Sequence, residues 1–308
     1  MPNTTKPILT GKDALAYEQE IVNATRNYRH FTPVMSIKLT MNTTVRMIHE
    51  AADSGVKAVK LYPTGATTNS EDGVVFGRLD ELIRTGVFTA MADRGLLLLI
   101  HGEEPTQEVL EREPYVIPFI EYIMESEPRL SVVVEHVSTE RMARFVASNN
   151  PHRLAATVTA HHLYLTLDDL IGGELKTLYF CKPVVKQKPD QNYLWFCVEN
   201  YPNFFFGSDS APHPIDRKQS CSCAAGVFSG PIAVPLLAQM FNERGILDRL
   251  QEFASLRGAD FYGFEPNQDA ITLERTEEPV HMRGWTVDGS VRFMPLREGE
   301  ELHWRVAN

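Results

Sequence analysis

Five polar side chains stand at the ends of apolar runs, and each is of a type that does chemistry. They are Lys60 in Val-Lys-Leu-Tyr-Pro, His101 in Leu-Leu-Ile-His-Gly-Glu, His136 in Val-Val-Glu-His-Val, His162 in Ala-His-His-Leu, and Asp209 in Phe-Gly-Ser-Asp-Ser-Ala-Pro-His. Imidazole and carboxylate groups serve as metal ligands and as general acids or bases. A single His or Lys at such a place is more often capped or solvated than a ligand. Position alters that weighing. Three of the five close nearly uninterrupted apolar runs, where an unpaired charge or imidazole is costly unless it is hydrogen-bonded or metal-bound. For Asp209, flanked by Phe206 and Ala211, the functional reading outweighs the structural one.

Six runs, five of which carry these residues, read as buried strands: Phe31 to Leu39, Val56 to Pro63, Leu96 to Gly102, Leu130 to Val137, Leu154 to Leu163 and Phe204 to Asp209. Between them Thr44 to Ala52, Asp80 to Ala92, Thr139 to Ala147 and Gln191 to Glu199 place apolar residues at helical spacing with charges opposite. Alternation of this kind predicts βα units and a parallel sheet. In a parallel barrel the C-terminal strand ends meet on one face, so residues more than a hundred positions apart would share a site. Six such units can be counted, whereas a closed (β/α)₈ barrel has eight strands. Gly226 to Gly245 reads as the helical return after the last barrel strand. Ile271 to Arg275, Trp285 to Val287 and Val291 to Met294 alternate around Asp288-Gly289, which predicts an antiparallel appendage.

A chain of 308 residues fits one α/β domain, expected over 1–308 with a barrel to 265 and an extension over 266–308. The formal charge of −10, with Lys and Arg scattered, offers no basic stripe to a phosphate backbone, so nucleic acid is not an expected partner. Apolar runs such as Leu96 to Ile100 fall far short of the ~18 residues of a membrane span. Nothing at Met1-Pro2-Asn3-Thr4-Thr5-Lys6 resembles a secretory signal, and a cytoplasmic location is the expectation. Cys181, Cys197, Cys221 and Cys223 are expected as reduced thiols.

The strings Lys60 to Asn69, His101-Gly-Glu103, Glu135-His136-Val-Ser-Thr139, His162-Leu163 and Gly207-Ser-Asp-Ser-Ala-Pro-His213, in this order and spacing, resemble the shorter bacterial and fungal type of dihydroorotase, in the amidohydrolase superfamily. The likeness runs along nearly the whole chain to Phe261-Tyr-Gly263. Even Met1-Pro2-Asn3 resembles the end of that family's second strand. It implies a (β/α)₈ TIM-type barrel of the metal-dependent hydrolase kind, here missing the first strand and most of the second. The implied reaction is reversible hydrolysis of the cyclic amide of dihydroorotate to N-carbamoyl-L-aspartate, in pyrimidine biosynthesis, by a homodimer.

By the same resemblance Lys60 is carbamylated and bridges two Zn²⁺ ions; unmodified, it has three donors and no acceptor. His101 and His136 complete the more exposed metal. Asp209 binds the buried one and acts as general base, then general acid. Substrate contacts fall to Asn3, His213, Ala224 and Lys182, with Thr67 and Thr68 on a loop that closes over the ring. Asn3 and His213 are implied as donors to the substrate carboxylate.

Three departures stand out. The family's first strand carries a His-x-His pair and, soon after, an arginine, and no His-x-His occurs among these residues. The expectation is that the sequence begins inside strand two; a replacement from within would fall to His161 or His162. Lys182 stands where the family usually has leucine. The cysteine-rich loop is reduced to Cys221-Ser-Cys223-Ala-Ala-Gly226, too little to argue for zinc. Two alternatives stay open: a truncated or non-catalytic homologue kept for scaffolding, or a related cyclic amidohydrolase with another ring. The retained Lys60, His101, His136 and Asp209 weigh against the first, and Asn3 with His213 against a neutral ring.

Overall fold

The computed structural model describes residues 1–27 and 31–307. Its parallel strands, β1 to β6, are numbered in chain order. Contacts divide the chain into two compact units. The first takes in residues 1–135 and 152–154, the second 136–151 and 155–308.

In the first unit, β1 (Ser36–Leu39), β2 (Ala58–Leu61), β3 (Leu97–His101) and β4 (Val132–Glu135) are parallel neighbours. Their apolar residues, including Ile37, Leu39, Val59, Leu61, Leu98, Ile100, Val132 and Val134, are buried, as expected of strands covered on both faces. β1 is shorter than the apolar run suggests. The Thr44 hydroxyl accepts from the Met47 N–H at 3.3 Å and starts the helix Val45–Asp53. The expected helix over 80–92 is two, Leu79–Arg84 and Val87–Asp93, because Gly86 between them adopts φ +79°. Residues 1–10 form no strand; instead the Ile8 carbonyl accepts from Lys38 N–H at 2.8 Å, alongside β1. A helix that periodicity did not reveal, Gly11–Ala24, follows, started by a reciprocal Thr10–Asp13 capping box.

In the second unit β5 (Leu154–Val158), whose first residue belongs to the first unit, pairs in parallel with β6 (Phe204–Phe206). The run expected as one strand to Leu163 ends early. The Thr159 hydroxyl caps a short helix, Ala160–Tyr164, by accepting from His162 N–H at 2.9 Å. Helices Glu140–Ala147, capped by Thr139, and Lys188–Asn200 sit where the sequence puts them, and Ala233–Glu243 is the expected return. An aromatic core joins Trp195, Phe241, Phe253 and Phe206 through ring contacts of 5.3–6.1 Å. The tail forms two antiparallel pairs, β7 (Leu273–His281) with β10 (Glu301–Val306) and β8 (Trp285–Val287) with β9 (Val291–Phe293). No helix among the described residues is long and apolar enough to cross a membrane.

Candidate metal centre

Lys60 is fully buried on β2, one residue before the strand ends. Its ammonium is ion-paired with Glu135, the last residue of β4. Burial of a charge is tolerated only with such a partner. His101 closes β3, also buried, and its Nε2 lies 3.2 Å from Glu103 Oε2. A carboxylate only accepts, so Nε2 carries the proton and Nδ1 is the ring's lone-pair nitrogen. This carboxylate–imidazole pairing is the usual way a metal-binding histidine is oriented. The Tyr62 ring neighbours both residues, with its centre 5.3 Å from Lys60 Nζ and 6.2 Å from the His101 ring.

Tyr62 also carries the link to the loop. Its hydroxyl donates to Asn3 Oδ1 at 2.9 Å, and Asn3 Nδ2 donates to the Thr68 carbonyl at 3.0 Å. Asn69 Nδ2 returns a bond to the Asn3 carbonyl at 2.9 Å. Thr67 is fixed from within the loop, its N–H donating to Ser70 Oγ at 2.9 Å. Two of the residues read from the sequence as substrate contacts, Asn3 and Thr68, thus belong to one network, and Thr67 sits on the same loop. Lys38, which the sequence reading passed over, anchors it. It is 1% exposed on β1 in register with Lys60, and its ammonium meets the Asn69 carbonyl at 2.7 Å and the Asp72 carboxylate.

In the second unit His136 follows directly on β4 and Asp209 lies three residues past β6. Both have left-handed backbones, φ +46° and +39°. Such conformations cost of order 1–3 kcal/mol in non-glycine residues and gather at functional sites. The surroundings hold them there. His136 N–H donates to Thr157 Oγ1 at 2.7 Å, and Gly207 N–H to the Val158 carbonyl at 3.2 Å. Gly207 presses on the same Thr157: a Cβ there would lie 2.7 Å from Thr157 Cβ.

His213 Nε2 donates to the carbonyl of Ala225, the residue after Ala224, at 3.0 Å. That bond leaves Nδ1 as an acceptor while the ring is neutral. Burial holds the His213 pKa below the usual imidazole range, against the opposing pull of that bond. Lys218 organises the loop. Its buried ammonium donates to the Phe180, Ala224 and Gly226 carbonyls at 2.8–2.9 Å. Lys182 follows Cys181 and precedes Pro183 through a cis bond. Cys221 and Cys223 are free thiols, one exposed and one half-buried.

The donor chemistry decides whether these side chains fit a metal. The imidazoles of His101 and His136 and the carboxylate of Asp209 are hard-to-borderline ligands suited to a divalent ion. Lys60 as an ammonium repels one. Carbamylated, it would present carboxylate-like oxygens instead, so the set fits a metal in that form only. No sequence signal singles out Lys38, Thr157 or Lys218; Glu103 stands two residues after His101, and Glu135 opens the string that carries His136.

The chain matches no protein-family model. Its likeness to whole proteins is extensive. The dihydroorotase of Halorhodospira halophila is 40% identical over 311 residues, covering 99% of this chain and 88% of that protein. The crystal structure of dihydroorotase from Campylobacter jejuni superposes with a TM-score of 0.89 at 34% identity, over all of this chain and 87% of that one. That of the Saccharomyces cerevisiae dihydroorotase in complex with 5-fluoroorotic acid gives 0.86 at 31%, over all of this chain and 88% of that one. The strand-end residues, the parallel sheet and these likenesses agree: the chain belongs to the dihydroorotases, metal-dependent hydrolases of cyclic amides with an amidohydrolase barrel fold.

Proposed function

We propose that the chain interconverts dihydroorotate and N-carbamoyl-L-aspartate with Zn²⁺ held by Lys60 as its carbamate, His101, His136 and Asp209, two ions making the complete site. The reading rests above all on about 40% identity to dihydroorotases along 99% of the chain. Carbamylation joins the neutral Lys60 amine to CO₂ and releases one proton; the partly buried Glu135 carboxylate is the adjoining acceptor. Zinc, when bound, supplies Lewis-acid polarisation and lowers the pKa of water to about 7.

The chain's own groups do the rest. Asp209 removes the proton from the attacking water and delivers it to the amide nitrogen as the ring opens. Asn3 is held by Tyr62 and Thr68 and presents the substrate carboxylate with a preset amide. His213 adds a second donor from Nδ1 only as an imidazolium, because Nε2–H is committed to Ala225. Thr67 and Thr68 ride on the loop that excludes water from the reacting atoms. Ala224 and Lys182 flank the ring through their backbones, the first fixed by Lys218. The enzyme works in the cytoplasm as a homodimer, in de novo pyrimidine synthesis.

A substrate panel tests this. With zinc and bicarbonate supplied, the protein should turn over dihydroorotate and leave dihydrouracil and hydantoin untouched. Preference for a ring without a carboxylate would overturn the assignment.

A further inference from the structure

One group of side chains lies outside the roles assigned above. His161, His162 and Cys181 are all buried in the second unit, and a ligand-type atom from each lies within 4.8 Å of the other two. His161 is the informative member. It is wholly buried, and neither of its ring nitrogens has a hydrogen-bond partner. A buried polar group left in that state costs about 1–3 kcal/mol, and buried polar atoms are otherwise almost always paired with protein, water or an ion.

The other two members carry a matching signal. His162 Nε2 at 3.0 Å and Cys181 Sγ at 3.1 Å both direct their protons at one acceptor, the Pro183 carbonyl. Two donors crowd a single oxygen, and both protons are of the kind a metal displaces. His162 has somewhere to move its proton. Its Nδ1 lies 2.9 Å from Thr159 Oγ1, a hydroxyl able to accept, so the tautomer with Nδ1–H frees Nε2. A backbone or hydroxyl acceptor behind the ring is the usual support for a metal-binding imidazole.

From this geometry we propose that His161, His162 and Cys181 form a buried zinc site, with a thiolate, separate in its ligands from Lys60, His101, His136 and Asp209. Two imidazoles and one thiolate make a borderline-soft donor set that suits zinc. Zinc distances of about 2.0–2.1 Å to nitrogen and about 2.3 Å to sulfur set tetrahedral ligand atoms about 3.5 Å apart. The group therefore needs a closure of roughly an ångström, within the reach of side-chain rotation. Burial, with His162 and Lys218 beside it, keeps His161 neutral and able to give a lone pair. Lys218, whose ammonium is carried by three carbonyls, opposes the ion but favours the thiolate over the thiol. Binding exchanges the thiol proton for the metal: the S–H bond is lost, a sulfur–zinc bond forms, and one proton leaves to solvent. Because Lys182 follows Cys181 directly, the ion would pin the segment that offers Lys182 to the substrate.

Cobalt reports on this site alone. Co²⁺ replaces zinc, and a sulfur-to-cobalt charge-transfer band in the near ultraviolet appears only with thiolate ligation; the set around Lys60 contains no sulfur. The full chain, stripped with chelator and reloaded with Co²⁺, should show that band in the wild type and in Lys60→Ala. It should persist in a protein carrying Cys197→Ser, Cys221→Ser and Cys223→Ser together, and vanish in Cys181→Ser and His161→Asn. The triple variant decides the case even if Cys181→Ser fails to fold, because Cys181 is then its sole thiol. Absence of the band in the cobalt-loaded wild type, its loss in the triple variant, or its survival in folded Cys181→Ser would each overturn the proposal. Failure of the substrate panel would leave this result unaffected.

Discussion

Replacing Lys38 by methionine separates the anchoring of the Thr67–Thr68 loop from the stability of the fold. The Lys38 ammonium is 1% exposed and makes two contacts to one loop, the Asn69 carbonyl at 2.7 Å and the Asp72 carboxylate. Methionine keeps the stem's length and removes the charge. Asp72 is 51% exposed, so it returns to water at little cost, and the loss is that of the charged hydrogen bond to Asn69, about 1.5–3 kcal/mol. At 1.4 kcal/mol per factor of ten, loop opening should become roughly ten- to a hundredfold more frequent. The global urea midpoint should shift by less than about 1.5 kcal/mol, because a buried ammonium is exchanged for an apolar group of similar shape. Amide hydrogen exchange reads both. Gly65 and Gly73, whose N–H groups donate to the Ser70 carbonyl at 3.0 Å, should exchange faster by that factor, with strand amides such as Leu98 unchanged. Wild-type exchange at Gly65 and Gly73, or equal acceleration in the strands, would refute the anchoring role.

Gly207→Ala drives a Cβ to 2.7 Å from Thr157 Cβ and should destabilise by about 1–3 kcal/mol in urea melts. It should also weaken metal binding, since Thr157 Oγ1 holds the His136 backbone. Lys218→Met strands three carbonyls and should cost about 2–4 kcal/mol; an unchanged urea midpoint would count against its organising role. His213 titrates below the usual imidazole range and donates from Nδ1 only when protonated, so orotate binding, followed by calorimetry, should strengthen as pH falls below that range and change little above it. His213→Asn should flatten that dependence; an identical pH profile in the variant would remove His213 from the carboxylate site.

The strand ends and helix starts were legible because they are local. An apolar run closed by Lys60, His101 or Asp209, or a hydroxyl three residues ahead of an amide, as at Thr44 and Thr139, is visible in a short window of sequence. His162 was misplaced for an equally local reason, since Thr159 is both a β-branched residue in an apolar run and a helix cap, and the cap prevailed. What could not be read is the second layer. Glu135 beside Lys60 is 75 residues away in the chain, Lys38 and Asp72 are 34 apart, and Lys218 meets Phe180 across 38. No period or motif encodes those pairs. The orphaned His161 is legible only once burial is known, because its neighbour His162 looks the same in sequence.

The most direct test of the account is catalytic. Protein purified from cells, as wild type and as Asp209→Asn, is supplied with zinc and bicarbonate, and the interconversion of dihydroorotate and N-carbamoyl-L-aspartate is followed in both directions with bound metal measured in parallel. The account predicts turnover in the wild type and a loss of roughly a hundred- to ten-thousandfold in Asp209→Asn, the range typical of a missing general acid–base. No turnover from metal-loaded wild type would place the chain with non-catalytic scaffolds, and undiminished turnover in Asp209→Asn would show that another residue moves the proton.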